Sequence, residues 1–314
     1  MEELFAIEEL AKHESPALEK QARNPHQLTM PLMEIHSKED PVLLEDSRVL
    51  NNLIDRQAEV KSKDYFATIQ TEIRPHMRKI VSDWMLEVTE EQQCQPEVFH
   101  LAINYLDRFL ATTNISKTKF QLVAATCLFL ASKFKETSPL PAEHLVIYTD
   151  YSISIQEIMV SHPKILLIRQ CIHCCILLLQ SLEMTVLDAL QWDLSAVTPY
   201  SILDHILRTV NFQPMFDPRV VRKHAETFVA LAATEYSFCH QSPMVVAVAC
   251  LGAALRGLNP HGLEAMLSAI HLSCGLQMVS SSFFRIFWRL IVTKSDKNAN
   301  GLSSKGSLNE TVCI

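Results

Sequence analysis

The run FQLVAATCLFLASKFK, residues 120–135, constrains this chain more than any other segment. From Phe120 to Ala131 it is almost wholly apolar, with Ala124, Ala125 and Ala131 set among larger side chains, and it ends abruptly in Lys133, Phe134 and Lys135. A helix that is apolar all round has to be buried on every side. This segment therefore reads as the hub of a helical bundle whose charged tip reaches the surface. An aromatic residue between two lysines at such a tip suggests a docking surface rather than a catalytic pocket.

The hub has an echo. Residues 122–131 read LVAATCLFLA and residues 245–254 read VVAVACLGAA, so that Cys127 aligns with Cys250, Leu128 with Leu251 and Ala131 with Ala254. Each is the third amphipathic or apolar segment of its series, an internal repeat that points to two tandem bundles. Around the first hub, Met77, Ile80, Val81, Trp84, Met85 and Val88 recur at steps of three and four, predicting a helix over 75–92. Pro75 and Pro96 suit first helical turns, and the helix after Pro96 carries Val98, Leu101, Ala102, Tyr105, Leu106 and Phe109. Ser116 is expected to cap the hub helix, and Ser138-Pro139 and Pro141 to end it. A shorter helix is predicted to about Tyr148 and another from near Ile155. The second series is predicted over 199–210, 217–236, 243–256, about 260–272 and about 280–292. A general helical repeat is disfavoured, because the hubs lie far apart and no shorter period occurs.

Composition narrows the function. The chain has 6 glycines in 314 residues, no Gly-rich phosphate loop and no nucleophile elbow, which argues against an enzyme. A net charge of −7 without a basic block disfavours nucleic acid and anionic membrane as partners. The N-terminus, MEELFAIEELAKHE, is acidic and amphipathic and lacks the pattern of a signal peptide. The 9 scattered cysteines read as reduced cytosolic or nuclear thiols that pack as small hydrophobes.

The strings MRKIVSDWMLEV (77–88), NYLDRFL (104–110), LVAATCLFLASKFKET (122–137) and IYTD (147–150) closely resemble the cyclin box of D-type cyclins. TPYSILDHIL (198–207) and RKHAETFVALAATEYSF (222–238) resemble the second box of the same family. The resemblance spans roughly 45–275. It implies an all-α fold of two tandem five-helix cyclin-box bundles with a preceding N-terminal helix. The implied domains are a mobile arm at 1–40, an N-terminal box at 41–195, a C-terminal box at 196–292 and a disordered tail at 293–314. The implied function is that of a regulatory subunit, without catalytic residues, metal or cofactor. It binds and activates a G1 cyclin-dependent kinase in nucleus and cytoplasm and promotes phosphorylation of retinoblastoma-type proteins. A non-activating or misfolded isoform and a two-box helical transcription adaptor are the alternatives.

By resemblance, Lys133 and Glu183 match the family's Lys and Glu that hydrogen-bond the kinase, and Phe134 an adjacent hydrophobic contact. Met77, Ile80, Val81, Trp84, Glu87 and Gln121 match a groove that recruits short Arg-x-Leu substrate peptides. Arg78 and Asp107 match a salt bridge that joins the first two helices of the box. The plainer alternatives are that Lys133 is a solvated helix end and that the 77–84 stripe simply faces the core.

The chain departs from the family in three places. MEELFAIEEL has no Leu-x-Cys-x-Glu retinoblastoma-docking motif, and the tail KSDKNANGLSSKGSLNETVCI has no Pro. The third is internal: VSHPKILLIRQCIHCCILLLQ (160–180) separates Glu157-Ile158 from Glu183 by 21 extra residues. The cluster Cys171, His173, Cys174 and Cys175 lacks the separated pairs of a zinc site. Ile165–Leu179 is too short to span a membrane. A retained intron is preferred to a natural loop, because the insert is a whole number of codons, opens on Val (codons beginning GT) and closes on Gln (which can be CAG). A continuous helix would carry Glu183 roughly 31 Å from the hub and turn it about 60°, parting it from Lys133. A looped segment with Pro163 as breaker would let the two converge. Deleting 160–180 is then expected to strengthen kinase binding.

Overall fold

The computed structural model describes residues 46–57, 64–149, 168–209 and 216–258, with 268 and 270. Every regular element among them is helical: α1 (Ser47–Gln57), α2 (Tyr65–Thr68), α3 (Pro75–Glu91), α4 (Pro96–Leu110), α5 (Lys117–Lys135), α6 (Ala142–Tyr148), α7 (Ile168–Ala189), α8 (Pro199–Thr209), α9 (Pro218–Thr234) and α10 (Pro243–Leu258), with a 3-10 turn at Tyr236–Phe238. The helices expected from near Ile155, at 260–272 and at 280–292, the arm at 1–40 and the tail lie largely or wholly outside the described residues.

The apolar repeat organises two cores. In α5, Phe120, every residue from Leu122 to Leu128, and Leu130 to Ser132 are buried against α3, α4, α6 and α7. In α10, Met244 and every residue from Val246 to Leu255 are buried, against α8 and α9. The aligned pairs Cys127 and Cys250, Leu128 and Leu251, Ala131 and Ala254 are all interior. Burial pushes both thiols well above the usual cysteine range, so they behave as small hydrophobes.

Prolines open the helices as expected: Pro75, Pro96 and Pro218 each stand in a first turn, where the missing N–H would have no intrahelical partner. Asp217 caps α9 by accepting from the Arg219 amide. Ser116 occupies the N-cap position of α5 but makes no cap bond; its hydroxyl lies 2.8 Å from that of Thr118. The expected cap is therefore one of position only, because a neighbouring hydroxyl competes for the Ser116 oxygen.

α1 precedes the first bundle in sequence yet packs on the second. Leu50 is buried in the second core with Ile54 against it, and Gln57 accepts from the Ser242 hydroxyl and the Met244 amide at 2.8 and 3.0 Å. Arg56 donates to the Ser195 carbonyl, so α1 also reaches the linker between the bundles.

The seam between the bundles turns on Arg78. Its guanidinium is 1% exposed and makes a two-pronged pair with Asp107, Nε to Oδ1 and Nη2 to Oδ2, both at 2.7 Å. The same group donates to the Thr234 and Ala233 carbonyls at the end of α9, and Tyr65 donates to Asp107 Oδ1 at 2.7 Å. Burial disfavours the charged guanidinium, but Asp107 beside it more than offsets this, and the pKa of Arg78 is raised. Sequence comparison assigned this pair to the first two helices of the box; the fold adds the second bundle to it.

α7 shows what the insert does. The helix runs unbroken across the 180–181 junction, so residues 168–180 extend α7 backwards from Ser181. Whether the helix expected from near Ile155 runs continuously into the insert or loops out at Pro163 lies outside the described residues; the C-terminal half of α7 is anchored in the core by Val186, Leu187 and Leu190, residues 168–180 lie on its N-terminal side, and Glu183 meets Lys133. Leu179 now stands two residues before Ser181, where Ile158 would stand without the insert, and it is 1% exposed in the first core. An apolar residue thus replaces an apolar residue.

Three outcomes follow from this packing. Leu179→Ala is expected to lower stability by about 2–5 kcal/mol in urea denaturation, as at other well-packed core leucines; an effect below about 0.5 kcal/mol would contradict its core position. Arg78→Leu strands a buried carboxylate and is expected to cost about 3–5 kcal/mol, with Arg78→Leu/Asp107→Leu recovering part of the loss. Buried His100 has its pKa lowered to about 3 by desolvation. The unfolded chain takes up that proton more readily, so this contribution is complete above about pH 6.5 and is lost as pH falls towards 3. His100→Phe should flatten that part of the pH–stability curve.

Candidate interaction surface

The tip of α5 is held from several sides. Ser132, buried, accepts from the Leu140 amide at 2.6 Å and so folds the following loop back onto the helix. Glu136 accepts from the Gln95 amide at 2.6 Å, and Lys135 pairs with Glu97 at 2.8 Å, both tying the tip to the start of α4. Lys133 and Phe134 project from this braced end.

Lys133 Nζ lies 2.5 Å from Glu183 Oε1 and 4.8 Å from the centre of the Phe129 ring. The lysine side chain is 44% exposed and that of Glu183 13% exposed. A pair so placed adds at most about 1 kcal/mol to folding. It is better suited to orienting a partner, since exposed donors on Lys133 remain available and covering them would strengthen the field between the two charges. Phe134 is 44% exposed beside it. Met184, next to Glu183, and Ile147 on α6 are exposed too, and α6 packs on both α5 and α7. Sequence reading missed these two. The signal available was an apolar residue out of step with the buried face of its helix.

The second predicted group lies along α3. Ile80 is 65% exposed. Met77, Val81 and Trp84 are half-buried and pack on the first core, and Glu87 is exposed one turn further on. Gln121 is half-buried at the start of α5, which packs against α3. The stripe therefore serves both purposes: its inner edge closes the core, and its outer edge offers an apolar floor with a carboxylate at one end. Lys79, on the same helix, is tied to Asp83 at 2.7 Å and to the Thr234 hydroxyl at 2.9 Å, which fixes α3 against the second bundle.

Among the described residues no group of three or more metal-binding side chains converges, and no helix is long and apolar enough to cross a membrane. The side chains of Cys171, His173, Cys174 and Cys175 lie outside the described residues.

Comparison with known proteins agrees with this architecture. Residues 48–168 match the cyclin N-terminal domain and residues 197–275 the cyclin C-terminal domain. The G1/S-specific cyclin-D2 of Xenopus laevis is 43% identical over 244 residues, 77% of this chain and 76% of the relative. The G1/S-specific cyclin-D1 of Xenopus laevis is 42% identical over 74% of this chain and 72% of its own length. The G1/S-specific cyclin-D3 of Bos taurus is 43% identical over 70% and 68%. A viral cyclin from herpesvirus saimiri superposes with a TM-score of 0.52 at 21% identity, covering 73% of this chain and 97% of that structure, which supports the fold. Two matched boxes, two hub-centred bundles and relatives of this kind over most of the chain establish that it belongs to the cyclin family, on its D-type branch.

Proposed function

We propose that the chain is the regulatory subunit of a G1 cyclin-dependent kinase, which it binds and activates to drive the G1/S transition. The carrying observation is the assembled Lys133–Glu183 pair beside exposed Phe134, formed with segment 160–180 in place. An apolar anchor framed by opposite charges selects one orientation of a partner helix, because apolar contact supplies affinity and charge supplies register. Its D-type relatives are named as G1/S-specific.

Retinoblastoma-type proteins are the proposed substrates of the complex, recruited by the α3 stripe. Leucine of a short Arg-x-Leu peptide would lie on Met77, Ile80, Val81 and Trp84, with its arginine towards Glu87 and its backbone towards Gln121. MEELFAIEEL supplies no Leu-x-Cys-x-Glu motif, so recruitment rests on the groove. The complex is proposed to act in nucleus and cytoplasm.

Binding of the full chain to a purified G1 cyclin-dependent kinase tests this. Lys133→Glu places two carboxylates together and is expected to weaken binding by more than about tenfold, or 1.4 kcal/mol, with the melting temperature nearly unchanged because the pair contributes little to folding. Deletion of 160–180 was expected from sequence to strengthen binding. With the pair already made, deletion should instead change affinity by less than about tenfold. Undiminished binding by Lys133→Glu would refute the assignment.

A further inference from the structure

The second box carries a basic recess that neither candidate surface uses. It lies between the end of α8 and the first two turns of α9, has a volume of about 480 Å³, and is lined from α9 by Pro218, Arg219, Val220, Arg222, Lys223 and His224. Among the described residues no carboxylate lines it. An all-basic lining runs against the net charge of −7 on the chain.

The charges in this lining are not equivalent. Arg222 is committed, pairing with Asp204 at 2.7 Å and with Glu226 at 3.4 Å. Arg219 and Lys223 are exposed, and among the described residues neither side chain has a hydrogen-bonding or ionic partner. They stand one helical turn apart on a shared face, where like charges repel. Half-buried His224 adds a ring N–H to the same recess. Asp217 already caps α9 by accepting from the Arg219 amide at 2.9 Å. Attraction for an anion therefore comes from the side chains and not from the helix end.

The number and spacing of these charges decide the guest. Two uncommitted cations on adjacent turns match one dianion. A phosphorylated serine or threonine carries about −1.5 to −2 charges and three strong acceptor oxygens, whereas a glutamate would answer only one of the two cations. Nucleic acid and anionic membranes call for longer rows of lysine and arginine, and here Asp204, Asp217 and Glu226 flank the recess. Beside the charges, Val220 is 40% exposed and Pro218 is exposed, an apolar ledge within the same lining. We propose that this recess docks a phosphorylated serine or threonine in an extended segment of a partner protein. Arg219 forks onto two phosphate oxygens and Lys223 takes the third, while the side chain next to the phosphate rests on Val220. α9 runs from this recess to the Thr234 carbonyl that holds Arg78, roughly 22 Å along the helix axis. The recess shares no residue with the α5 tip or the α3 stripe, so variants in it leave those surfaces intact.

Fluorescence anisotropy of a labelled peptide, Gly-Ala-Ala-pSer-Val-Ala-Gly, titrated with the full chain tests the site. The phosphopeptide should bind saturably, and at least about tenfold tighter than the same peptide carrying Ser or Glu in place of pSer. Arg219→Glu/Lys223→Glu should weaken phosphopeptide binding by more than about tenfold, with the melting temperature nearly unchanged because both side chains are exposed. Lys133→Glu should leave it unaltered. Inorganic phosphate should compete at least about threefold less well than unlabelled phosphopeptide, since it lacks the contact with Val220. Absence of saturable binding, equal binding of the Ser or Glu peptide, equal competition by inorganic phosphate, tighter binding of a single-stranded oligonucleotide or of phosphatidylserine vesicles, or undiminished binding by the double variant would each overturn the proposal.

Discussion

The arrangement of this molecule depends on one buried guanidinium. Arg78 spends its donors on a carboxylate in α4 and on two carbonyls at the end of α9. Few groups could do this, because only arginine presents a planar fork of donors that keeps its charge when buried. Asp107 answers the charge, and Tyr65 fills a further position on the same carboxylate. The aromatic ring of Tyr236 packs against Tyr65 and Phe66 beneath this junction, and its hydroxyl donates to Asp64. First box, second box and the short α2 segment thus meet at a single polar centre. Such a centre adds little net stability compared with an apolar substitute. Its geometric demands are strict, however, and these orient one box on the other.

That constraint reaches the candidate surfaces. α3 carries Arg78 inwards and the proposed recruitment stripe outwards, so its rotation is set by the buried side. The α5 tip is set differently, through Ser132, Lys135 and Glu136, each bonded to a neighbouring segment. The exposed Lys133 and Phe134 therefore need no stabilising contacts of their own. This division suits a docking surface, since residues that contribute little to folding remain available for a partner.

The insert illustrates how a helix absorbs added length. Val186, Leu187 and Leu190 hold the C-terminal half of α7 in the first core. Added residues could extend the helix only from its other end, and lengthening a connection costs little entropy. Leu179 offers the core an apolar side chain where Ile158 would otherwise stand.

Sequence alone determined the helical class, the two hubs and most helix limits, because buried helices impose a periodicity and composition that no distant contact can disguise. By resemblance it also pointed to Lys133, Phe134, Glu183 and the α3 stripe as candidate contacts. Only the tertiary structure decided that Glu183 meets Lys133 across an insert, since that depends on which half of α7 is packed. It alone showed that Arg78 reaches carbonyls some 155 residues away and that α1 joins the second core. Each of these joins residues remote in sequence, and the local pattern at one end of such a contact says nothing about which atoms stand at the other.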